Sequence, residues 1–289
     1  MPPHSPRPFH YLQLNLAIIF ISTSGALGRF ISLPPEVTIF WRSALALPFL
    51  LFFLKLTKQA IRPIFRWHGA YFVSALFLGL HWVTYFYSLQ WSNVAIAMLS
   101  LFTFPVITAL LEPFFVGGRL QWRHLILGGL TLMGIYFLMP SFALAAMHGP
   151  AIGLGIFSAL CYALRNLILK RATQAHSGSQ LMAIQVTVLS ICFAPFLLQH
   201  DVGDSLAQWP SLLFLAVFTT VMGHSLFLYS LSHFSVSTAS IISSLQPLYG
   251  IVIAYVFLKE VPHWGVYVGG CCIVLAVVWE SWQTAKLIK

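Results

Sequence analysis

Ten stretches of mostly apolar residues follow one another along the chain, at roughly 13–31, 39–56, 68–90, 95–116, 124–140, 151–169, 180–198, 210–231, 237–258 and 264–282. Each is close to the ~20 residues a helix needs to cross the hydrocarbon core of a bilayer. Backbone groups in lipid must be satisfied within the segment itself, and stretches of this length do so as helices. The expected fold is therefore all-α and integral to the membrane, with ten spans. Only 7% of the 289 residues are charged and 59% are hydrophobic, against about 25% charged in an ordinary soluble domain. Connections are often under ten residues and there is no soluble domain or low-complexity tract, so the chemistry belongs inside the bundle or at its mouths.

The net charge of +9 reports topology and not a nucleic-acid partner. With the N-terminus inside, one side carries Arg7, Lys55, Lys58, Arg62, Arg66, Arg119, Arg123, Lys170, Arg171, Lys286 and Lys289, and the other carries Lys259. Eleven against one satisfies the positive-inside rule and predicts both termini in the cytoplasm, in a bacterial inner membrane. Arg7 followed by an apolar run from Leu14 looks like a signal peptide, but no clean cleavage site precedes Arg29, and the run reads as a retained first helix. Cys161, Cys192, Cys271 and Cys272 all fall within expected spans and lack the spacing of a metal site, so no metal or other cofactor is expected.

The chain also resembles itself. Residues 87–128 align without a gap with residues 229–270, and nine of the 42 pairs are identical, Tyr87/Tyr229, Pro105/Pro247 and Trp122/Trp264 among them. The longest loop, about Ser141 to Pro150, divides the ten stretches into two sets of five, giving a first unit of residues 1–145 and a second of 146–289. An odd number of spans per unit inverts the second relative to the first, the arrangement of many transporters. The leading helices align at a different offset, Ser22 with Ser158 and Arg29 with Arg165, each pair seven residues apart on one helical face. Pro105 and Pro247 lie about ten residues into the fourth and ninth stretches. A mid-span proline removes a backbone hydrogen bond, so the pair reads either as matched hinges or as packing irregularities.

These features resemble the drug/metabolite transporter superfamily, in particular its ten-helix EamA-like members. The likeness rests on the tandem five-helix units, on the run YFYSLQWSNVAIAMLSLFTFPVITALLEPFF from Tyr85 to Phe115 with its counterpart FLYSLSHFSVSTASIISSLQPLYGIVIAYVFLKE from Phe227 to Glu260, and on the mid-helix prolines. It implies a transporter and leaves the substrate open. The family often ends the fourth and ninth helices with glutamate; Glu260 fits, while Gly118 stands at the corresponding place in the first unit and Glu112 lies six residues earlier.

Charged groups inside a span cost about 2.5–3.5 kcal/mol on insertion scales and are functional candidates by default. Arg29 and Arg42 lie near the outer ends of adjacent stretches, where they either snorkel to the headgroups or serve a site. Arg165 lies roughly 21 Å along its span by helical rise, on one face with Tyr162 and Ser158, a stripe able to hold a carboxylate or phosphate; its alternatives are a salt bridge to Glu112 or snorkelling. Glu112 shares a face with Pro105 and Thr108, and is a proton-coupling candidate or a partner of Arg119 or Arg165. His81, on a face with Tyr85 and Ser88, and His224 are placed to bind substrate or carry a proton, or else are hydrogen-bonded within the core. Trp82, Tyr85, Tyr87 and Tyr229 surround them as cavity candidates. Ser237, Ser240, Ser243, Ser244 and Gln246 form either a polar path or a small-residue helix contact.

The expected function is a secondary transporter of small metabolites such as amino acids, exporting them by alternating access, with substrate contacts at His81, Trp82, Tyr85, Arg165, Tyr229 and Gln246, proton coupling at Glu112 or His224, and hinges at Pro105 and Pro247. A drug permease of the same fold and, further off, a channel are the alternatives. The partners expected are a small-molecule substrate, the lipid bilayer and protons if transport is coupled, with no nucleic acid. Paired carboxylates, G-x-S-G and H-E-x-x-H are all missing from the sequence, so an intramembrane enzyme is not expected.

Overall fold

The computed structural model describes residues 7–61, 68–92, 94–138, 149–258 and 264–286, and no strand occurs among them. The helices are α1 (Pro8–Phe30), α2 (Pro35–Leu56), α3 (Gly69–Trp91), α4 (Val94–Leu101), α5 (Phe104–Phe115), α6 (Trp122–Phe137), α7 (Gly149–Lys170), α8 (Gly178–Phe193), α9 (Val202–Ala207), α10 (Trp209–Phe214), a π-helical segment Leu215–His224, α11 (Ser225–Ser230), α12 (Val236–Ser243), α13 (Gln246–Leu258) and α14 (Trp264–Lys286). Arg62, Arg66, Lys259, Glu260, Lys289 and the loop at the expected boundary between the units lie outside the described residues, as does the side chain of Arg29.

Among the described residues, seven helical stretches are long and apolar enough to cross a membrane: Pro35–Leu56, Gly69–Trp91, Ile96–Phe115, Gly149–Lys170, Gly178–Gln199, Trp209–Ser230 and Trp264–Lys286. The protein is an all-α, multi-spanning membrane protein. The other three expected stretches are helical too, in α1 over 23 residues, in the 16-residue α6, and in α12 with α13, which share the ninth stretch between them.

The fourth and ninth stretches are broken at equivalent places. Phe102 and Thr103 separate α4 from α5, and Ser244 and Leu245 separate α12 from α13. These two pairs stand 142 residues apart, the same offset as the sequence repeat. Pro105 and Pro247 each become the second residue of a new helix. Proline is at home there, because the first N–H groups of a helix have no intrahelical acceptor and its fixed φ suits the first turn. The sequence predicts a kink, and each proline in fact opens a second helix. The eighth stretch departs further: its middle winds as a π-helix, so Thr220 Oγ1 donates to Leu215 O at 3.0 Å.

Side-chain bonds sort the helix termini onto two ends of the bundle. At the near end, where α1 begins, Tyr11 donates to Ser281 O of α14 (3.2 Å), the His10 ring stacks on His233 (3.7 Å between centroids), and Arg123 at the start of α6 meets Glu280. Ser177, which caps α8 through Gln180, donates there to Gln59 just beyond α2 (2.5 Å). At the far end Gln208 Oε1 accepts from Ser32 N (2.9 Å), Tyr87 donates to Glu36 (2.8 Å) and Ser88 donates to Ala151 O at the start of α7 (2.8 Å). So α1 begins at the end where α7 finishes.

The interior is a continuous apolar core built around α3 against α7 and α2 against α8, and large apolar side chains such as Phe52, Phe114, Ile126, Leu198 and Leu275 face outward. That outward face would be a liability in water and is what lipid requires. α6 and α14 cross closely at Gly134 and Gly269, where a Cβ on Gly269 would lie 2.3 Å from Gly134 O. Such contacts between small residues replace the hydrophobic drive that lipid does not supply. Gly269→Leu is therefore expected to destabilise the protein by about 1–3 kcal/mol through overpacking, read as a lowered unfolding temperature in detergent. Gly129→Ala, with nothing within 4 Å of the new carbon, should leave that temperature unchanged or slightly raised.

Candidate functional site

Midway through the bundle, α2, α3, α7, α8 and the π-helix converge on a set of buried polar side chains. Arg42 of α2 is fully buried. Its guanidinium carbon sits 3.7 Å from the centroid of the Trp82 ring, and its Nε donates to Thr220 Oγ1 at 2.7 Å. Of the two alternatives for Arg42 this removes snorkelling: a cation over an indole face and a hydroxyl acceptor from the π-helix hold it inside. The second consequence of the π-winding is positional, since His224 closes that segment with its ring edge-on to Trp82 (5.3 Å).

His81, one residue before Trp82, points to α7. Ser158 Oγ donates to His81 O (2.8 Å) and lies 2.7 Å from His81 Nδ1. With the hydroxyl proton committed to the carbonyl, Nδ1 is the donor and Nε2 carries the lone pair. The His81 ring stacks on Tyr162 (4.5 Å), and Tyr162 in turn meets the edges of Phe104 (5.3 Å) and His224 (6.3 Å). Tyr85 completes the group, its ring nearly parallel to His81 at 6.2 Å.

Arg165 is also fully buried. Its Nε and Nη2 both donate to Gln185 Oε1 (3.1 and 2.5 Å), and Nη1 donates to Asn166 Oδ1 (2.8 Å). It pairs with neutral amides, so neither the salt bridge to Glu112 nor snorkelling describes it. Both arginines lie within electrostatic range of His81, His224 and Tyr162. Among the described residues the ion pairs are Arg123 with Glu280 (3.2 Å) and His124 with Glu280 (3.2 Å); neither buried arginine meets a carboxylate.

The other sequence candidates lie apart from this cluster. Glu112 reaches from α5 to the start of α12, accepting from Val236 N (2.7 Å), from Ser237 N (3.1 Å) and from the Ser237 hydroxyl. It bonds to neither Arg119 nor Arg165. A carboxylate is well placed there, at the positive end of a helix dipole. Lys170 does the converse at the end of α11, donating to Leu231 O and to Phe234 O (2.7 Å). A cation and an anion thus grip the two sides of the α11–α12 turn. Tyr229 lines a near-end groove of about 360 Å³ with Gln13, Phe53, Gln59, Ser177 and Ser225. Gln246 donates to Ile21 O (3.4 Å), Tyr87 is tied to Glu36, and Pro105 and Pro247 stand at the helix breaks.

Three residues that the sequence reading passed over matter. Gln185 and Thr220, the arginine acceptors, are uncharged polar residues within mostly apolar stretches, which is the signal they offered. Glu280, fully buried, gathers His124, Arg123, Thr238 (2.7 Å) and Thr284 (3.2 Å). It is the one acidic residue of the tenth stretch. Among the described residues no group of three or more His, Cys, Asp or Glu side chains could hold a metal ion.

Comparison with known families decides the broader identity. The model of the EamA-like transporter family matches the chain twice, over residues 9–139 and 149–282. The chain belongs to the EamA-like transporter family. This EamA-like protein is thus a membrane transporter and not an enzyme. A solved crystal structure, described only as that of a protein, superposes on it with a TM-score of 0.77, covering 98% of this chain and 100% of the other at 15% identity. That likeness speaks to the fold of the EamA-like chain. A comparison with curated proteins gives no match.

Removing one partner from a buried ionic network leaves the rest uncompensated, at about 3–5 kcal/mol. Glu280→Ala is accordingly expected to destabilise the EamA-like protein far more than Thr284→Ala. Unfolding of the two purified variants by denaturant in micelles measures the difference; equal midpoints would contradict it.

Proposed function

We propose that the protein is a secondary transporter that exports small metabolites, amino acids among them, across the bacterial inner membrane by alternating access. The observation that carries this reading is the polar cluster itself. His81, Trp82, His224, Arg42 and Arg165 are all 5% exposed or less, in the middle of a bundle whose near and far ends are both tied by side-chain bonds. A carrier passes through such an occluded state between its two open ones, whereas a pore needs a continuous path.

The reading includes ten spans in two inverted units, residues 1–145 and 146–289, with both termini in the cytoplasm. It is supported by the paired family matches, by the opposed directions of α1 and α7, and by the lysines and arginines near the termini of the near end. In this scheme the near end is the cytoplasmic one and Tyr229 lines its vestibule. Gln246, at the break before α13, couples that joint to α1. The breaks at Pro105 and Pro247 are the joints about which the units rock.

Glu112 acts as the near-end latch. Its carboxylate holds the α12 N-terminus by accepting from Val236 N, Ser237 N and the Ser237 hydroxyl, and neutralising its charge weakens that hold and links opening to a proton. His224, whose Nδ1 has no partner, is the second coupling candidate.

Reconstitution in proteoliposomes tests both levels. Saturable counterflow of a labelled substrate is expected, and conductance without counterflow would overturn the carrier reading. Glu112→Gln, which mimics the protonated latch, should lose concentrative transport while keeping counterflow within about two-fold. Unchanged concentrative transport in that variant refutes the coupling role.

A further inference from the structure

The central cluster has more positive charge than the described residues answer. The sequence holds six acidic residues. Glu36 accepts from Tyr87, Glu112 sits on α12, Asp201 and Asp204 are exposed, and Glu280 is spent on Arg123 and His124; Glu260 lies outside the described residues. Two guanidinium groups remain in a buried interior with neutral partners.

The same place has donors without acceptors. Nη1 and Nη2 of Arg42, the Tyr85 hydroxyl, Nδ2 of Asn166 and Nδ1 of His224 are buried and unpaired. Buried polar atoms are nearly always satisfied, so a concentration of orphans marks a missing group. Four of these five atoms are obligate or ready donors, which selects an acceptor, and Arg42 offers its two Nη atoms as the fork that fits a carboxylate.

What the cluster lacks is equally selective. An α-ammonium needs a carboxylate, a free carbonyl or an open aromatic face. Gln185 Oε1 and Asn166 Oδ1 are occupied by Arg165, Arg42 covers a face of Trp82, and the His81 Nε2 lone pair is a neutral acceptor in the field of two guanidinium groups, a poor place for a further cation. A zwitterion would moreover leave the net charge of the site unchanged, while an anion lowers it. Phe104 and Phe227, both packed on Tyr162, offer an apolar wall for the body of such a ligand.

We propose that the substrate of the central site is a small organic carboxylate that carries no ammonium group, its carboxylate held by Arg42 and Tyr85 in the field of Arg165 and its apolar body lodged against Tyr162, Phe104 and Phe227. This rests on the carrier reading above and, within the small metabolites that reading allows, selects carboxylates over amino acids at the central site.

The test uses three ligands that share one skeleton: 3-phenylpropionate, L-phenylalanine and phenethylamine. Titration calorimetry on the purified full-length chain in detergent should give binding of 3-phenylpropionate at least ten-fold tighter than of the other two. Arg42→Gln and Arg165→Gln should each weaken it ten-fold or more, and Arg42→Lys, which keeps the charge, should recover part of that loss. Tyr85→Phe, which removes only an unpaired hydroxyl, should weaken it about three-fold and guards against variants that fail to fold. L-phenylalanine binding as tightly as 3-phenylpropionate, no binding of 3-phenylpropionate, or thermal stabilisation by chloride equal to that by the carboxylate overturns the proposal. Counterflow separates the two levels: movement of L-phenylalanine but not 3-phenylpropionate keeps the carrier and sinks the anion site, whereas arginine-dependent binding of 3-phenylpropionate without counterflow keeps the site and sinks the carrier.

Discussion

Two arginines in the dry middle of the bundle, with no carboxylate among the described residues to meet them, govern the rest of the structure. The effective penalty for taking such an ion out of water is several kcal/mol even after relaxation. The fold offsets it piecemeal: an indole face and a threonine hydroxyl for Arg42, two amide oxygens for Arg165. Arg42 thereby ties α2 to α3 and the π-helix, and Arg165 ties α7 to α8, so each arginine also fixes how its own helices sit against one another. Hydrophobic packing alone does not do this in lipid, where apolar surface is equally content facing outward.

The π-helical segment belongs to the same logic. An extra residue in a helical turn shifts every side chain after it, and such segments tend to occur where function requires an orientation that a regular helix does not provide. Here the shifted residues are Thr220 and His224, which complete the surroundings of Arg42 and Trp82. Local regularity of the eighth stretch is traded for convergence at the centre.

Much of this was legible in the residues. The apolar stretches gave the membrane class, and the tandem runs with their prolines gave the family, because both are properties of residue type along the chain. Matched breaks appear where the repeat placed Pro105 and Pro247, though as new helix starts. The site was less legible, for a geometric reason: depth along a span is readable from rise per residue, but rotation about the helix axis is not. Arg42 read as peripheral because its depth permits snorkelling, and only the Trp82 face shows that it turns inward. Glu112 read as a proton-coupling charge or a partner of Arg119 or Arg165 because nothing in its own helix reveals that the α12 N-terminus lies opposite. Glu280 lies near the end of its stretch, and apart from Thr284 on its own helix its partners come from α6 and α12, 42 or more positions away.

The two-residue breaks in the fourth and ninth stretches bear on the thermal cost of transport. Bending an intact helix means pulling apart a ladder of amide hydrogen bonds, which would give the motion a steep activation enthalpy. At Phe102–Thr103 and Ser244–Leu245 the ladder is already interrupted, and each following proline has no N–H to lose. Movement about these joints, as proposed above, would therefore disturb fewer regular i to i−4 bonds than bending an unbroken helix, and what it would strain instead are the tighter turn bonds from Thr103 N to Ser100 O and from Ser244 N to Ile241 O.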